Sequence, residues 1–178
     1  FPVVPRGAGT GLACGAVPEY GGLVLSLEKM NKILEINENG LYAVVEPGVR
    51  TSDLQEAAEK KGLFYAGDPC SGDSCFIGGN IATNAGGPHA FRYGVTGAWV
   101  TGIEAVVPPG EVLSSGGPLR KNVAGLDLTD LMIGSEGTLG IVTSAWLRLV
   151  PAPEERGVVV GFYPDTASGC EAIGMIMG

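Results

Sequence analysis

The sequence predicts an α+β fold, because two hairpin patterns and a few short helical patterns follow one another without a regular strand–helix–strand repeat. Glycine accounts for 30 of the 178 residues, more than double the usual share of about 7%. The glycines cluster in short runs and have no fixed period. Such clusters are typical of loops in which the backbone adopts positive φ or approaches a ligand closely.

Strand patterns dominate the first fifty residues. Val3 and Val4 have the pattern of a strand end, and residues 23–27 form a short apolar run that favours a buried strand. Two alternating runs within residues 33–48 predict a hairpin, in which Asn39-Gly40 suits a type I′ turn.

A helix is predicted for residues 51–62. Thr51 or Ser52 suits its N-cap, and Gly62 suits the position just beyond its C-cap. Residues 66–94 are predicted to form a glycine-rich loop with one short helix near residues 80–84.

The second half begins with another hairpin, predicted for residues 99–117 with its turn at Pro109-Gly110. A short helix is expected over residues 127–135, and the alternation of residues 139–151 predicts a strand.

A linker rich in proline and charge follows at residues 151–156. Residues 157–163 then predict a strand, and residues 165–178 predict a helix. We therefore expect a second unit to begin near residue 154.

Composition excludes several functional classes. The net charge of −8 argues against nucleic-acid binding and against anionic membrane surfaces, and no apolar run is long enough to span a bilayer. Cys70 and Cys75 form an isolated C-x4-C pair, and His89 is the only histidine. We therefore expect reduced thiols and no metal site.

The first glycine cluster lies in residues 3–18, VVPRGAGTGLACGAVP. A dinucleotide fingerprint would need glycine where Leu12 or Cys14 stands, and a P-loop would need a Gly-Lys-Ser/Thr sequence, so both motifs are excluded. The backbone N–H groups of residues 7–12 remain available to bind an anion as a nest, with Arg6 as an adjacent cation. The alternative is a tight glycine turn that joins two strands.

The second cluster, residues 75–94, combines two glycine pairs with Asn80, Thr83 and Asn84. Amide and hydroxyl groups suit a heteroaromatic ring that carries carbonyls and ring nitrogens, whereas the alternative is a loop that satisfies its own polar groups. His89 is expected to be a loop residue near the ligand and not a general base, because the sequence places no carboxylate beside it.

The third cluster lies in residues 131–143. Gly134 to Gly140 suggest a sharp turn into a strand, in which the backbone of Ile141 and Val142 could pair with the edge of a ring. A plain helix-to-strand loop is the alternative. Ser135 does not form a G-x-S-x-G motif, because Ile133 occupies the first glycine position.

Taken together, the three clusters resemble one family. PRGAGTGL, VVEPGV, GDPCSGD, IGGNIATNAGG, YGVT, VLSSGG and KNVAGLDLTDLMIGSEGTLGIVT are similar to the FAD-binding domain of PCMH-type (vanillyl-alcohol-oxidase) flavoproteins. Within that family, the motifs resemble those of D-lactate and D-2-hydroxyacid dehydrogenases and of the glycolate oxidase D subunit. The resemblance extends from about residue 1 to residue 153.

The resemblance implies a binding role for three sets of residues. The FAD pyrophosphate would lie on the backbone of Arg6, Gly7, Ala8, Gly9, Thr10, Gly11 and Leu12. The flavin and ribityl chain would contact Pro69, Ser71, Gly78, Gly79, Asn80, Ala82, Thr83 and Gly86. The adenosine half would contact Glu136, Gly140, Ile141 and Val142. Non-covalent binding is expected, because the first glycine loop contains no histidine.

The resemblance also implies a two-part FAD-binding domain at residues 1–153, without its first elements, and the start of a ferredoxin-like substrate cap at residues 154–178. The whole protein would oxidise a D-2-hydroxy acid by hydride transfer to flavin N5. An electron-transfer flavoprotein, a quinone or oxygen would accept the electrons. Catalytic residues are expected outside these 178 residues.

Other readings remain open. The chain could belong to a non-catalytic FAD-binding electron-relay subunit, or it could be a fragment that is unable to bind FAD. The resemblance implies a cytoplasmic location and a homodimer. A peripheral association with the membrane is left open. Phe76 stands where relatives often carry a small or hydroxyl residue, and Cys14 stands where serine or glycine is common.

Overall fold

The computed structural model describes residues 1–155 and 157–177, which contain nine strands and five α-helices. The strands are β1 (Val3–Arg6), β2 (Leu23–Ser26), β3 (Ile33–Asn37), β4 (Tyr42–Val45), β5 (Leu63–Phe64), β6 (Val100–Val107), β7 (Glu111–Gly116), β8 (Ile141–Arg148) and β9 (Val150–Pro151). The helices are α1 (Thr51–Glu59), α2 (Ile77–Thr83), α3 (Ala90–Tyr93), α4 (Leu128–Met132) and α5 (Thr166–Met177), with a 3₁₀ turn at Thr96–Trp99.

The strands form three sheets. β1 and β2 pair in parallel, and β5 pairs with β9 in antiparallel orientation. The main sheet has the order β3-β4-β8-β6-β7, and each of its pairings is antiparallel. A small parallel pair beside a larger antiparallel sheet with separate helices confirms the predicted α+β fold.

The core lies on one face of the main sheet. Alternate residues of its three central strands are buried there, because successive side chains of a strand point to opposite faces. Helices α1 and α2 and the 3₁₀ turn contribute side chains to the same apolar cluster. Its members include Ala43, Val45, Leu54, Ala58, Ile77, Ile81, Trp99, Ile103, Ala105, Ala145 and Leu147.

The first hairpin is confirmed, but its predicted type I′ turn is wrong. The loop spans residues 38–41, and positive φ occurs at Leu41 and not at Asn39 or Gly40. Asn37 Oδ1 accepts a hydrogen bond from the Gly40 N–H at 2.7 Å. This bond closes a four-residue loop, for which the two-residue type I′ geometry does not apply.

The predicted helix near residue 51 is confirmed, but its cap is wrong. Helix α1 begins at Thr51, and its N-cap is Arg50 without a side-chain cap hydrogen bond. The Thr51 side chain is buried and has its hydroxyl in a hydrogen bond from Asn80, so it does not cap the helix. Gly62 adopts a φ of +69° two residues beyond the C-cap, Lys60.

Residues 66–94 contain more regular structure than the sequence predicts. Helix α2 begins at Ile77, three residues before the predicted start, and Asn84 in left-handed conformation ends it. The short helix α3 was not predicted, and neither was the β5–β9 pair. These elements are too short to produce a recognisable periodicity.

The second hairpin is confirmed as β6 and β7. Helix α4 is confirmed but ends at Met132, and Asp127 Oδ1 caps it by accepting from the Asp130 N–H at 3.0 Å. The strand predicted over residues 157–163 is wrong, because none of the described residues pairs with this segment. Helix α5 is confirmed from Thr166, whereas residue 178 lies outside the described residues.

Candidate functional site

The three glycine-rich segments line one cleft of about 700 Å³. It lies between the loop after β1, the segment around α2, and the turn from α4 into β8. Every predicted site residue lines this cleft except Arg6. Asn84, which was expected to offer polar groups to a ring, also lines the cleft. Sequence reasoning missed a further set of lining residues, most of which lie within or beside the recognised motifs: Pro5, Ala13, Gly15, Ala16, Leu27, Cys70, Cys75, Phe76, Ala85, Met132, Ser135 and Gly137.

The loop after β1 presents free backbone donors to the cleft. In the described part of the chain, no backbone N–H of residues 7–12 donates a hydrogen bond to the protein. Gly9 adopts a φ of +74°, which bends the loop. Successive N–H groups in a turn conformation can converge on one anion as a nest. The arrangement therefore suits a phosphate or pyrophosphate group.

Arg6 is exposed at the end of β1 and does not line the cleft. Its guanidinium folds over the loop, since a Cβ placed on Gly9 would lie 2.9 Å from Arg6 Nη2. The positive charge therefore lies beside the nest and would act on a bound anion through space.

Two adjacent glycines of α2 have different surroundings. A Cβ placed on Gly78 would lie 2.5 Å from Pro47 Cβ, so only glycine permits this close approach of the Pro47 loop. A Cβ placed on Gly79 would meet no protein atom within 4 Å, although Gly79 lines the cleft. Gly7 approaches from the opposite side, where its Cβ would lie 3.6 Å from the Gly79 nitrogen. The protein leaves open space at Gly79 that a ligand can fill.

The polar side chains of α2 are partly used by the protein. Thr83 donates its hydroxyl to the Gly79 carbonyl at 3.0 Å, and Asn84 Oδ1 accepts from the Gly97 N–H at 2.8 Å. Asn80 Nδ2 donates to Thr51 Oγ1 at 2.8 Å. The expectation that all three side chains offer both donors and acceptors to a ring is therefore too broad. Only their remaining polar atoms are available to a ligand.

The turn before β8 is fixed to α2 by its backbone. The Gly134 N–H donates to the Ile81 carbonyl at 2.9 Å, and the Glu136 N–H donates to the Ala82 carbonyl at 2.8 Å. Glu136 adopts a φ of +53° and is exposed at the rim. This turn therefore forms a wall of the cleft next to the loop after β1, since a Cβ placed on Gly137 would lie 2.6 Å from Pro5 Cγ and one placed on Gly15 would lie 3.5 Å from Glu136 Oε2.

Strand β8 has a free edge where it enters the cleft. Ile141 and Val142 pair with β6, whereas β4 pairs with β8 only from Ala145 onward. Among the described strands, none covers the other edge at these two residues. The backbone groups on that edge could therefore pair with the edge of a planar ligand.

His89 has a carboxylate partner that its sequence neighbours did not indicate. Its Nδ1 lies 2.7 Å from Asp68 Oδ2, because the loop at Gly87 packs directly on the Asp68 backbone. His89 is largely exposed and does not line the cleft, so it lies just outside the predicted position. The pair joins the segments on either side of α2.

The described residues contain neither a cluster suited to a metal ion nor a helix suited to a membrane span. No group of three or more His, Cys, Asp or Glu side chains in residues 1–155 and 157–177 is placed to hold a metal ion. Within the same residues, no helix combines the length and apolar character needed to cross a membrane.

The cleft fits a ligand with two chemically different halves. The nest of residues 7–12 suits a pyrophosphate, whereas the wall formed by α2 and the β8 edge suits a planar ring with polar edges. The nest meets this wall where Gly7 lies beside Gly79. A dinucleotide that carries a flavin meets this description. The cleft volume of about 700 Å³ is within the usual range of small-molecule sites.

Comparison with known proteins agrees with this geometry. Residues 1–116 match the family described as FAD binding domain. The chain is 49% identical to glycolate oxidase subunit GlcD of Bacillus subtilis over 99% of its own length and 37% of that protein. It is 47% identical to a D-2-hydroxyglutarate dehydrogenase of Stutzerimonas stutzeri, over 92% of the chain and 35% of the relative. It is also 47% identical to a D-lactate dehydrogenase of Anaerostipes hadrus, over 86% and 32%.

Among solved structures, an alkyldihydroxyacetonephosphate synthase superposes with a TM-score of 0.74 at 27% identity, over 86% of this chain and 30% of that one. The chain spans roughly a third of the length of the curated relatives it matches, between 32% and 37% for these three. The family match includes the nest, α2 and the first hairpin of the main sheet. The chain therefore belongs to the FAD binding domain family, and its cofactor is FAD.

Proposed function

We propose that FAD binds non-covalently in the cleft, with its pyrophosphate on the backbone N–H groups of residues 7–12. The observation that carries the proposal is the run of six consecutive N–H groups without a hydrogen-bond acceptor in the described part of the chain. Arg6 adds positive charge beside them. The flavin and ribityl chain would lie along Pro69, Ser71, Gly78, Gly79, Asn80, Ala82, Thr83 and Gly86. The adenosine half would lie along Glu136, Gly140, Ile141 and Val142.

The whole protein would oxidise a D-2-hydroxy acid of the lactate or glycolate type. The names of the relatives support this substrate class, since they act on glycolate, D-lactate or D-2-hydroxyglutarate. Bound FAD would supply the hydride acceptor, flavin N5, for the α-carbon of the acid. This chain would hold the cofactor, and an electron-transfer flavoprotein or a quinone would take the electrons.

The domain division is proposed along the same lines. Residues 1–153 would form the FAD-binding domain, and residues 154–178 would begin a substrate cap. The exposed apolar side chains of the second segment, Val158, Val159, Phe162, Met175 and Ile176, support a division at this point. A cytoplasmic location and a homodimer are proposals of the same kind.

The decisive measurement is the flavin absorbance of the purified chain, followed by titration with FAD. We expect bound flavin and a rise in the unfolding temperature with added FAD. A colourless chain that FAD does not stabilise would overturn FAD binding and favour an isolated fragment that is unable to bind. Bound flavin in the whole protein that no D-2-hydroxy acid bleaches would favour an electron-relay subunit instead.

The type of attachment can be tested separately. Two thiols, Cys70 and Cys75, line the cleft. Acid precipitation of the yellow protein should leave the flavin in the supernatant. Flavin that precipitates with the protein would contradict non-covalent binding, and a Cys70→Ser variant would then show whether that thiol forms the link.

A further inference from the structure

Thr51 connects the interior of the protein to the wall of the cleft. It is the first residue of α1, is fully buried and does not line the cleft. Its hydroxyl accepts a hydrogen bond from Asn80 Nδ2 at 2.8 Å and lies 3.2 Å from Cys75 Sγ. Its backbone N–H donates to the Cys75 carbonyl at 3.2 Å. Thr51 is therefore held on both sides by residues that line the cleft.

Among the hydrogen-bond acceptors of Asn80, the side-chain Oδ1 is the one that has no donor in the described part of the chain. Its backbone N–H donates to the Phe76 carbonyl at 3.0 Å, and its carbonyl accepts from the Ala85 N–H at 2.9 Å. Its Nδ2 is engaged by Thr51, whereas its Oδ1 has no donor in the described part of the chain. Tyr65 Oη is the one fully buried side-chain polar atom without a partner among the described residues. Asn80 Oδ1 is therefore in contact with the cleft.

We propose that Thr51 is a positioning residue that fixes the side-chain amide of Asn80, so that Oδ1 faces the cofactor. The α2 wall of the cleft then presents Asn80 Oδ1 as an acceptor, which selects a hydrogen-bond donor on the flavin half of FAD. The inference rests on the proposed function, because it assigns an orientation within the same site. Without the Thr51 hydroxyl the buried Nδ2 loses its acceptor, and the amide gains by turning its N–H groups toward the cleft.

The test uses two substitutions at Thr51 and one matched control. Thr51→Val removes the hydroxyl but keeps the shape, and we expect the Kd for FAD to rise about tenfold. Thr51→Ser restores the acceptor and should bind FAD within about twofold of the wild-type chain. The control, Thr129→Val, removes a buried hydroxyl whose bond runs to Ser115 Oγ at 3.0 Å, away from the cleft.

Thr129→Val should lower the unfolding temperature without changing the Kd, which separates positioning from general loss of stability. Wild-type affinity in Thr51→Val would overturn the proposal, and so would equal losses in Thr51→Val and Thr51→Ser. Titration with 3-methyl-FAD, which lacks the ring imide N–H, identifies the donor. If the effect of Thr51→Val disappears with this analogue, the donor is the imide; if the effect persists, the donor is a ribityl hydroxyl.

A second measurement does not depend on FAD. Thermal unfolding of the cofactor-free chain is compared for Thr51→Val, Asn80→Ala and the double variant. We expect the double variant to lose less in unfolding temperature than the sum of the single variants, because both remove the same hydrogen bond. Additive losses would overturn the role of Thr51 even if FAD binds. A wild-type chain that binds no FAD would instead contradict the proposed function.

Discussion

The parallel pair β1–β2 and the main antiparallel sheet differ in how their strands are buried. In the main sheet, Leu147 is 0% exposed and its neighbours belong to the apolar core. In the parallel pair every residue of β2 is exposed, and Leu25 retains 39% exposure. The main sheet is therefore stabilised by its own packing, whereas the pair that carries the nest depends on a few backbone contacts. The nest and the most deeply packed strands thus lie in different parts of the chain, whereas α2 and β8 contribute both to the core and to the cleft.

The largest expected effect is on stability in the main sheet. Leu147→Ala should lower the free energy of unfolding by about 2–5 kcal/mol, because it leaves a cavity among buried side chains. Leu25→Ala should cost less than about 1 kcal/mol, because much of that side chain already contacts solvent. Urea unfolding followed by circular dichroism measures both. Equal losses would show that the parallel pair is as firmly packed as the sheet.

The second prediction concerns the nest. Gly9→Val should raise the Kd for FAD by at least about 100-fold, because valine is strained at a φ of +74° and disturbs the N–H groups that would bind the pyrophosphate. Gly21 has a similar φ of +70° in the same region and does not line the cleft. Gly21→Val is therefore the matched control and should leave the Kd within about threefold. Isothermal titration of FAD compares the two variants, and similar losses would remove the special role of the nest.

The third prediction separates close packing from ligand space within α2. Gly78→Ala should cost about 1–3 kcal/mol of stability, because the new methyl group collides with Pro47. Gly79→Ala should leave stability unchanged or slightly higher, since alanine suits a helix and meets no protein atom. It should nevertheless weaken FAD binding about tenfold by filling ligand space. If Gly79→Ala binds FAD normally, the cofactor does not pass this point of the cleft.

The smallest expected effect concerns Arg6. Arg6→Met removes the charge while keeping most of the side-chain length, and the Kd for FAD should rise about threefold at low salt. The difference from wild type should disappear at about 1 M salt, because Arg6 is exposed and its attraction is screened. Arg6→Lys should retain most of the affinity. A large loss that is insensitive to salt would instead indicate direct contact with the cofactor.

Local patterns predicted much of the fold and the identity of the cleft segments. The alternation of residues 139–151 predicted β8, and the turn residues Pro109-Gly110 predicted the β6–β7 hairpin. The glycine spacing in residues 7–12 excluded the two common phosphate motifs and indicated a nest, whose N–H groups the structure leaves free. These features follow from neighbouring residues, so one strand or loop contains the whole signal.

Other features were decided only by the tertiary structure. Thr51 or Ser52 was predicted to cap a helix, yet the Thr51 hydroxyl is used by Asn80, which lies 29 positions away. His89 meets Asp68 only because the chain folds back at Gly87. Gly78 and Gly79 are the same residue type, but Gly78 packs against Pro47, whereas Gly79 faces open space in the cleft. Periodicity and spacing describe neighbours along the chain, whereas each of these outcomes depends on which distant segment packs against the residue.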